Sequence, residues 1–162
     1  MNTNSLPAAD TARANDLVAR PVVTSTSNSS APRQSGRAAK RVRRFEKLSI
    51  LIPAYNEEAT LNTCVAAVLA APLPAGVARE IIIVDDASKD ATWLLAQKLA
   101  SAHPEVRVFH QEKNQGKGAA IRRAIKEMTG DLAIFQDADL EYDPDDYGRL
   151  LTPILEGRAD VV

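Results

Sequence analysis

From Leu48 onward, two kinds of apolar pattern alternate along the chain. Short runs dominated by apolar residues recur at 48–52 (LSILI, stopped by Pro53), 80–86 (EIIIVDD), 106–110 (VRVFH), 132–136 (LAIFQ) and 159–162 (ADVV). Runs this short, bounded by polar clusters and rich in β-branched side chains, predict strands buried on both faces. Between them the apolar positions follow helical spacing. Leu61, Cys64, Val65, Val68 and Leu69 make one stripe, and Ala91, Leu94, Leu95, Leu99 and Ala102 a second. Ala120, Ile121, Ala124, Ile125 and Met128 make a third, and Tyr147, Leu150, Leu151 and Ile154 a fourth. Asn56 and Ser88 stand where helix start signals are expected, and Pro72 and Pro74 end the first helical region. The order β-α-β-α-β-α-β-α-β predicts an α/β, Rossmann-like fold: a mostly parallel sheet with helices on both faces. The chain stops within the fifth strand, so the fold is expected to be incomplete at the C-terminus.

The first residues do not share this pattern. Residues 1–47 hold nine Lys/Arg and three Asp/Glu, a net of +6, whereas 48–162 hold eleven and eighteen, a net of −7. Residues 1–46 are expected to be a disordered, basic, Ser/Thr-rich tail, since they lack the apolar surface to offset chain entropy. Residues 47–162 are the expected domain. The run Arg37, Lys40, Arg41, Arg43, Arg44 has two readings, a solvated linker or an attachment to an anionic membrane surface. A single cysteine, Cys64, precludes an internal disulfide and fits a cytoplasmic setting. No apolar stretch of about 18 residues or signal-peptide core is present.

In open α/β sheets, ligands bind beyond the carboxyl ends of the strands. The polar clusters of this chain fall there: PAYNEE after the first strand, DDASKD after the second, QEKNQGKG after the third and DADLEYDP after the fourth. Asp137 and Asp139, two apart on an extended segment, can reach one point, and hard oxygen ligands at that spacing suit Mg²⁺ or Mn²⁺. Glu141 is either a third carboxylate near that metal or a solvated loop residue. Asp143, Asp145 and Asp146 suit a helix N-terminus. One or both of Asp85 and Asp86 can accept from a base or a ribose hydroxyl. Asn114, Gly116, Lys117 and Gly118 suit an anion at a helix N-terminus but fail the Walker pattern, which disfavours an NTPase or phosphate-handling regulator. Arg122 either reaches a phosphate or lies on the surface. Tyr55 can stack on a base that Glu57 accepts from; alternatively Glu57 and Glu58 serve the helix dipole. His103 and His110 read as structural or surface residues, and Trp93 as packing.

Together, LSILIPAYNEEATL, EIIIVDDASKDAT, NQGKGAAIRRAI and GDLAIFQDADLEYDPDDY resemble the family 2 glycosyltransferases of GT-A fold, nearest to the polyprenyl-phosphate (dolichol-phosphate) mannosyl- or glucosyltransferase branch. The resemblance spans about residues 47–162. It implies transfer of a hexose, with inversion, from a GDP- or UDP-sugar to an acceptor such as a polyprenyl phosphate, assisted by a divalent cation. It implies that Asp137 and Asp139 are catalytic and hold the metal with Glu141 nearby. Pro53, Ala54, Tyr55, Glu57, Asp85, Asp86, Lys117 and Asp137 would bind the donor. Nucleic acid is not an expected partner, and the expected location is cytoplasmic, with the inner membrane face as a further possibility. Ala87 stands where the family more usually has glycine. A Gly-Ser-Arg-like acceptor segment is absent, so a non-catalytic donor-binding fragment is the alternative expectation.

Overall fold

The computed structural model describes residues 45–162; the tail at 1–44, with its basic run, lies outside the described residues. Phe45 and Glu46 precede the expected boundary at 47, yet they belong to the folded part. Phe45 packs on the core, and the Glu46 amide donates to Asp131 Oδ2 at 2.8 Å.

Four of the five expected strands form: β1 (Lys47–Ala54), β2 (Ala78–Asp85), β3 (Val106–His110) and β4 (Leu132–Phe135). The helices are α1 (Leu61–Ala70), α2 (Thr92–Ala102), α3 (Lys117–Glu127) and α4 (Tyr147–Leu155), the last led by a 3₁₀ turn at Pro144–Asp146. All strand pairs are parallel, in the order β3-β2-β1-β4. Strand alternation divides the core in two. Ile50, Ile52, Ile81 and Ile83 face Leu61, Val65 and Val68 of α1 and Ala96 of α2, whereas Leu51, Ile82 and Val84 face Ala120 and Ala124 of α3. Central strand β1 is therefore sealed on both sides, with residues 48–52 at 0% exposure.

Two details depart from the sequence reading. Residues 159–162 form no strand; a strand persists only through a ladder to a neighbour, and Val161 and Val162 lie exposed without one. Nor do Asn56 and Ser88 cap helices: the N-caps are Thr60 for α1 and Ala91 for α2. Instead they join the loops after β1 and β2. The Asn56 amide donates to Ser88 Oγ (2.9 Å), and the Lys89 amide donates to Asn56 Oδ1 (2.8 Å). α1 does end before Pro72, and the Arg79 guanidinium donates to the terminal carbonyls of Val68, Leu69 and Ala71.

A buried polar cluster fixes the opposite end of the sheet. Glu80 accepts from Ser49 Oγ (2.6 Å), from the Thr129 amide and hydroxyl (both 2.8 Å) and from Arg107 (3.1 Å). Burial alone raises a carboxyl pKa, but these donors outweigh it and hold Glu80 at about 2. Gly130 closes over the cluster; a Cβ there would meet Ser49 Oγ at 2.5 Å.

From β1 the chain steps outward to β2 and β3, then returns through α3 to place β4 on the other side of β1. The strand order reverses between β1 and β4. An open α/β sheet has its ligand crevice at such a reversal, at the carboxyl ends.

Candidate functional site

A cleft of about 190 Å³ opens there. The loop after β1 contributes Tyr55 and Glu57, next to Pro53 and Ala54 of the strand itself. The loop after β2 contributes Asp86, α3 contributes Lys117 and Ala120, and the loop after β4 contributes Asp137, Ala138 and Asp139. Of the eight donor-binding positions expected from the sequence, seven line this cleft; Asp85 does not.

The backbone of these loops is strained. Asn56 (φ 58°), Ala87 (φ 59°) and Leu140 (φ 67°) hold left-handed conformations and stand in the loops after β1, β2 and β4. Asparagine tolerates this region, but for Ala87 and Leu140 it costs about 1–2 kcal/mol each, and strain of this kind collects where the fold over-determines a functional loop.

Asp137 and Asp139 both reach the cleft, though not by strand alternation. β4 ends at Phe135, and Ala138 and Asp139 sit in a turn. Asp139 is exposed, and Asp137 has a side chain 18% exposed. Lys117 Nζ lies 2.7 Å from the Asp137 carboxylate, a hydrogen bond that raises the lysine pKa. Below them, the buried Cys64 thiol meets the Asp137 carbonyl at 3.6 Å. Burial pushes Cys64 up to about 11, helped by the charges of Asp139, Glu57 and Asp137. Glu141 does not join them: it is exposed and outside the cleft wall, only its amide approaching Asp139 Oδ1 at 3.3 Å. Among the described residues no three His, Cys, Asp or Glu side chains form a metal cage. Two carboxylates suit a cation that completes its shell with phosphate oxygens and water, as Mg²⁺ usually does.

The two aspartates at the end of β2 diverge. Asp86, 2% exposed, organises the approach to α3. Its Oδ1 accepts from Gln111 Nε2 (2.5 Å) and the Gln115 amide (2.9 Å), and its Oδ2 accepts from the Gly116 amide (2.6 Å). This holds Gly116 (φ 86°) as the N-cap, so that the positive end of α3 opens onto the cleft. Asp85 is fully buried. Its Oδ2 pairs with His110 Nδ1 at 2.7 Å, and its Oδ1 has no hydrogen-bond partner among the described residues. His110 also meets the Trp93 ring at 5.1 Å, so it is tied into the structure. Glu57 and Glu58 divide the roles read from their sequence. Glu57 lines the cleft and accepts from Thr60 Oγ1 (2.6 Å), whereas Glu58 accepts from the Ala91 amide at the start of α2 (2.9 Å). Arg122 is exposed and outside the cleft wall. Asp143 accepts from the Asp145 amide (3.0 Å) at the 3₁₀ turn, as the acidic run after β4 suggests.

Gln111 and Gln115 fall in the polar cluster after β3 and Tyr147 in the last helical stripe, but neither motif nor spacing assigns them, or Gln136, the roles they take here. Their partners lie across loops, and only the polar end of the apolar run LAIFQ hints at Gln136.

The arrangement joins an acidic pair to a lysine and a helix N-terminus. It can hold a dication on one side and a polyphosphate on the other. Its counterparts are enzymes of sugar transfer. The chain is 38% identical over 111 residues to a dolichol-phosphate mannosyltransferase of Pyrococcus furiosus, covering 68% of this chain and 31% of the relative. It is 38% identical over 119 residues to an undecaprenyl-phosphate 4-deoxy-4-formamido-L-arabinose transferase of Pseudomonas aeruginosa, covering 73% and 35%. The chain thus spans about a third of the length of these relatives. Among solved structures it resembles a mannosyltransferase of Pyrobaculum calidifontis in complex with GDP-Man and Mn²⁺ (TM-score 0.57, 25% identity, 73% of this chain and 33% of that one). It also resembles glucosyl-3-phosphoglycerate synthase of Mycobacterium tuberculosis in complex with Mn²⁺, UDP and glucosyl-3-phosphoglycerate (TM-score 0.55, 31% identity, 68% and 40%). The sheet and its helices are accordingly the Rossmann-like GT-A fold. Residues 49–162 match the model of glycosyl transferase family 2, and it is to this family that the chain belongs.

Proposed function

We propose that this chain carries the donor-binding half of a hexosyltransferase, which moves a sugar with inversion from a GDP-mannose- or UDP-glucose-type donor to a polyprenyl phosphate. The observation that carries this reading is the convergence of Asp137, Asp139, Lys117 and the α3 N-terminus on the crevice between β1 and β4. Tyr55 offers a face to the base, and Glu57 a hydrogen-bond acceptor. Lys117 and the first turn of α3 take the anionic diphosphate. Asp86 shapes the loop that presents them, and Asp85 supports that loop from below. Asp137 and Asp139 hold the divalent cation, Mg²⁺ or Mn²⁺. A dication bound there supplies Lewis-acid neutralisation of the leaving diphosphate. The solved relatives with Mn²⁺ and a nucleotide or nucleotide sugar support the donor and metal; the curated relatives support the lipid-phosphate acceptor. Such an acceptor is already anionic, which lessens the need for a strong general base. It would also bring the chain to a membrane surface; no helix among the described residues is long and apolar enough to cross one.

The test is a thermal-shift panel of GDP-mannose, UDP-glucose and related donors, with Mn²⁺ or EDTA. A cognate donor at a hundredfold excess over its Kd stabilises the folded chain by about 2.7 kcal/mol, and EDTA reduces that gain. Equal shifts with Mn²⁺ and EDTA, or no shift with any donor, would refute the proposal.

A further inference from the structure

The acidic loop after β4 is held by a buried polar device that lies outside the cleft. Gln136 is 1% exposed and directly precedes Asp137. Its Nε2 donates to the carbonyls of Asp137 and Tyr142, both at 3.1 Å, so one amide grips both ends of residues 137–142. Its Oε1 accepts from Tyr147 Oη at 2.7 Å, and Tyr147 is itself 2% exposed at the start of α4. A glutamine amide has a donor end and an acceptor end. The two carbonyls can only accept, which fixes Nε2 toward the loop and leaves Oε1 to accept from the phenol. Burial raises the Tyr147 pKa, so the phenol remains a donor through the ordinary pH range. Between the two gripped carbonyls lies Leu140, in the left-handed conformation (φ 67°) that its side chain disfavours. Without the grip, that residue can relax toward ordinary backbone angles and carry Asp139 with it.

We infer that Gln136 and Tyr147 are positioning residues that set the separation and aim of the Asp137 and Asp139 carboxylates, and thereby the affinity of the site for its divalent cation. Neither touches the cleft, so they act through the loop backbone. The inference rests on the donor-and-metal reading proposed above.

The experiment compares the full chain with Tyr147→Phe and Gln136→Leu. Mn²⁺ is titrated in the presence of the nucleotide sugar that binds the wild type, and nucleotide-sugar affinity is also measured in EDTA. Loss of a group that orients metal ligands typically weakens metal affinity about ten- to a hundredfold, and that loss is expected in both variants. Binding in EDTA stays at the wild-type level, and excess Mn²⁺ restores donor binding. Amide exchange of the metal-free protein gives a readout independent of the ion: residues 137–142 exchange faster in Tyr147→Phe, while β1 and α3 keep their protection. Unchanged Mn²⁺ affinity in Tyr147→Phe overturns the inference. So does an equal fall in binding with and without Mn²⁺, which marks a merely structural role. Should Gln136→Leu fail to fold, Tyr147→Phe decides alone. Failure of the donor-and-metal reading itself is separately visible, as a wild type indifferent to Mn²⁺.

Discussion

Asp86→Asn separates two ways an acid at the cleft can matter. A family-based reading has this carboxylate touching the nucleotide. In the structure its oxygens instead accept from Gln111 Nε2 and the amides of Gln115 and Gly116. Asparagine replaces one of those oxygens with an NH₂ group, and in either orientation at least one donor then faces a donor. If the Oδ1 side stays an acceptor, the Gly116 amide is orphaned, and the two remaining bonds lose their charge. A bond to a charged group is worth about 1.5–3 kcal/mol and a neutral one about 1. Losing the Gly116 bond removes about 1.5–3 kcal/mol and discharging the other two about 0.5–2 kcal/mol each, a net of roughly 2.5–7 kcal/mol. For a folded part of this size that corresponds to a melting point lower by at least about 10 °C. Calorimetric melting measures it, and amide exchange across 111–116 locates it. Donor affinity should fall too, because Lys117 and the α3 N-terminus lose their placement. A variant that melts within about 0.5 kcal/mol of wild type yet loses donor affinity would show that Asp86 acts by direct contact, and the loop argument would be wrong.

Three further outcomes follow from the geometry. Asp139→Asn, at an exposed position, should shift melting by no more than about 0.5 kcal/mol while abolishing the Mn²⁺-dependent gain in donor affinity; an intact gain would remove Asp139 from the metal site. Glu80 is held at about 2 against an ordinary 4.5, so its contribution is complete above pH 4.5 and disappears as pH falls through 2. That gap corresponds to on the order of 3 kcal/mol, so acid titrations of Glu80→Gln should show a flatter loss of stability between these values than wild type. An unchanged acid limb would contradict the assignment. Ala87→Gly should raise the melting point, since relief of about 1–2 kcal/mol of left-handed strain exceeds the added unfolded-chain entropy of about 0.5–1 kcal/mol; a lower melting point would mean that Ala87 is not strained.

The strands and helices were readable because each repeats its own period over several residues, and burial on both faces made β1 and β2 runs dominated by apolar residues, broken in β1 only by the buried Ser49. The location of the cleft was readable for the same reason: alternating elements force the polar loops to one edge. What the sequence concealed was pairing at a distance. Nothing in the spacing shows that Ser88 takes the Asn56 amide rather than capping α2, or that Gln136 finds Tyr147 eleven positions later. Asp85 and Asp86 look equivalent as letters. They separate because one ends the strand and points into the protein, while the other begins the loop. Glu141 could be read either as a further carboxylate near the metal or as a loop residue; the turn at Ala138 and Asp139 breaks the extended geometry behind the first reading, and Glu141 lies exposed outside the cleft wall. Residues 159–162 have strand composition, but composition supplies no ladder.

On the proposed donor-and-metal reading, the 2.7 Å contact between Lys117 and Asp137 also governs how the cleft fills. A dication arriving alone meets a carboxylate whose charge is already answered by an ammonium. A nucleotide arriving alone brings phosphates toward the exposed carboxylate of Asp139. When both arrive, the lysine can turn to the phosphate and leave its former partner to the ion. Loading is thus expected to be mutual: Mn²⁺ strengthens donor binding by the same factor by which the donor strengthens Mn²⁺ binding, as linkage requires. Lys117→Met should shrink that factor, which paired calorimetric titrations would measure; a factor untouched by the substitution would assign the coupling elsewhere.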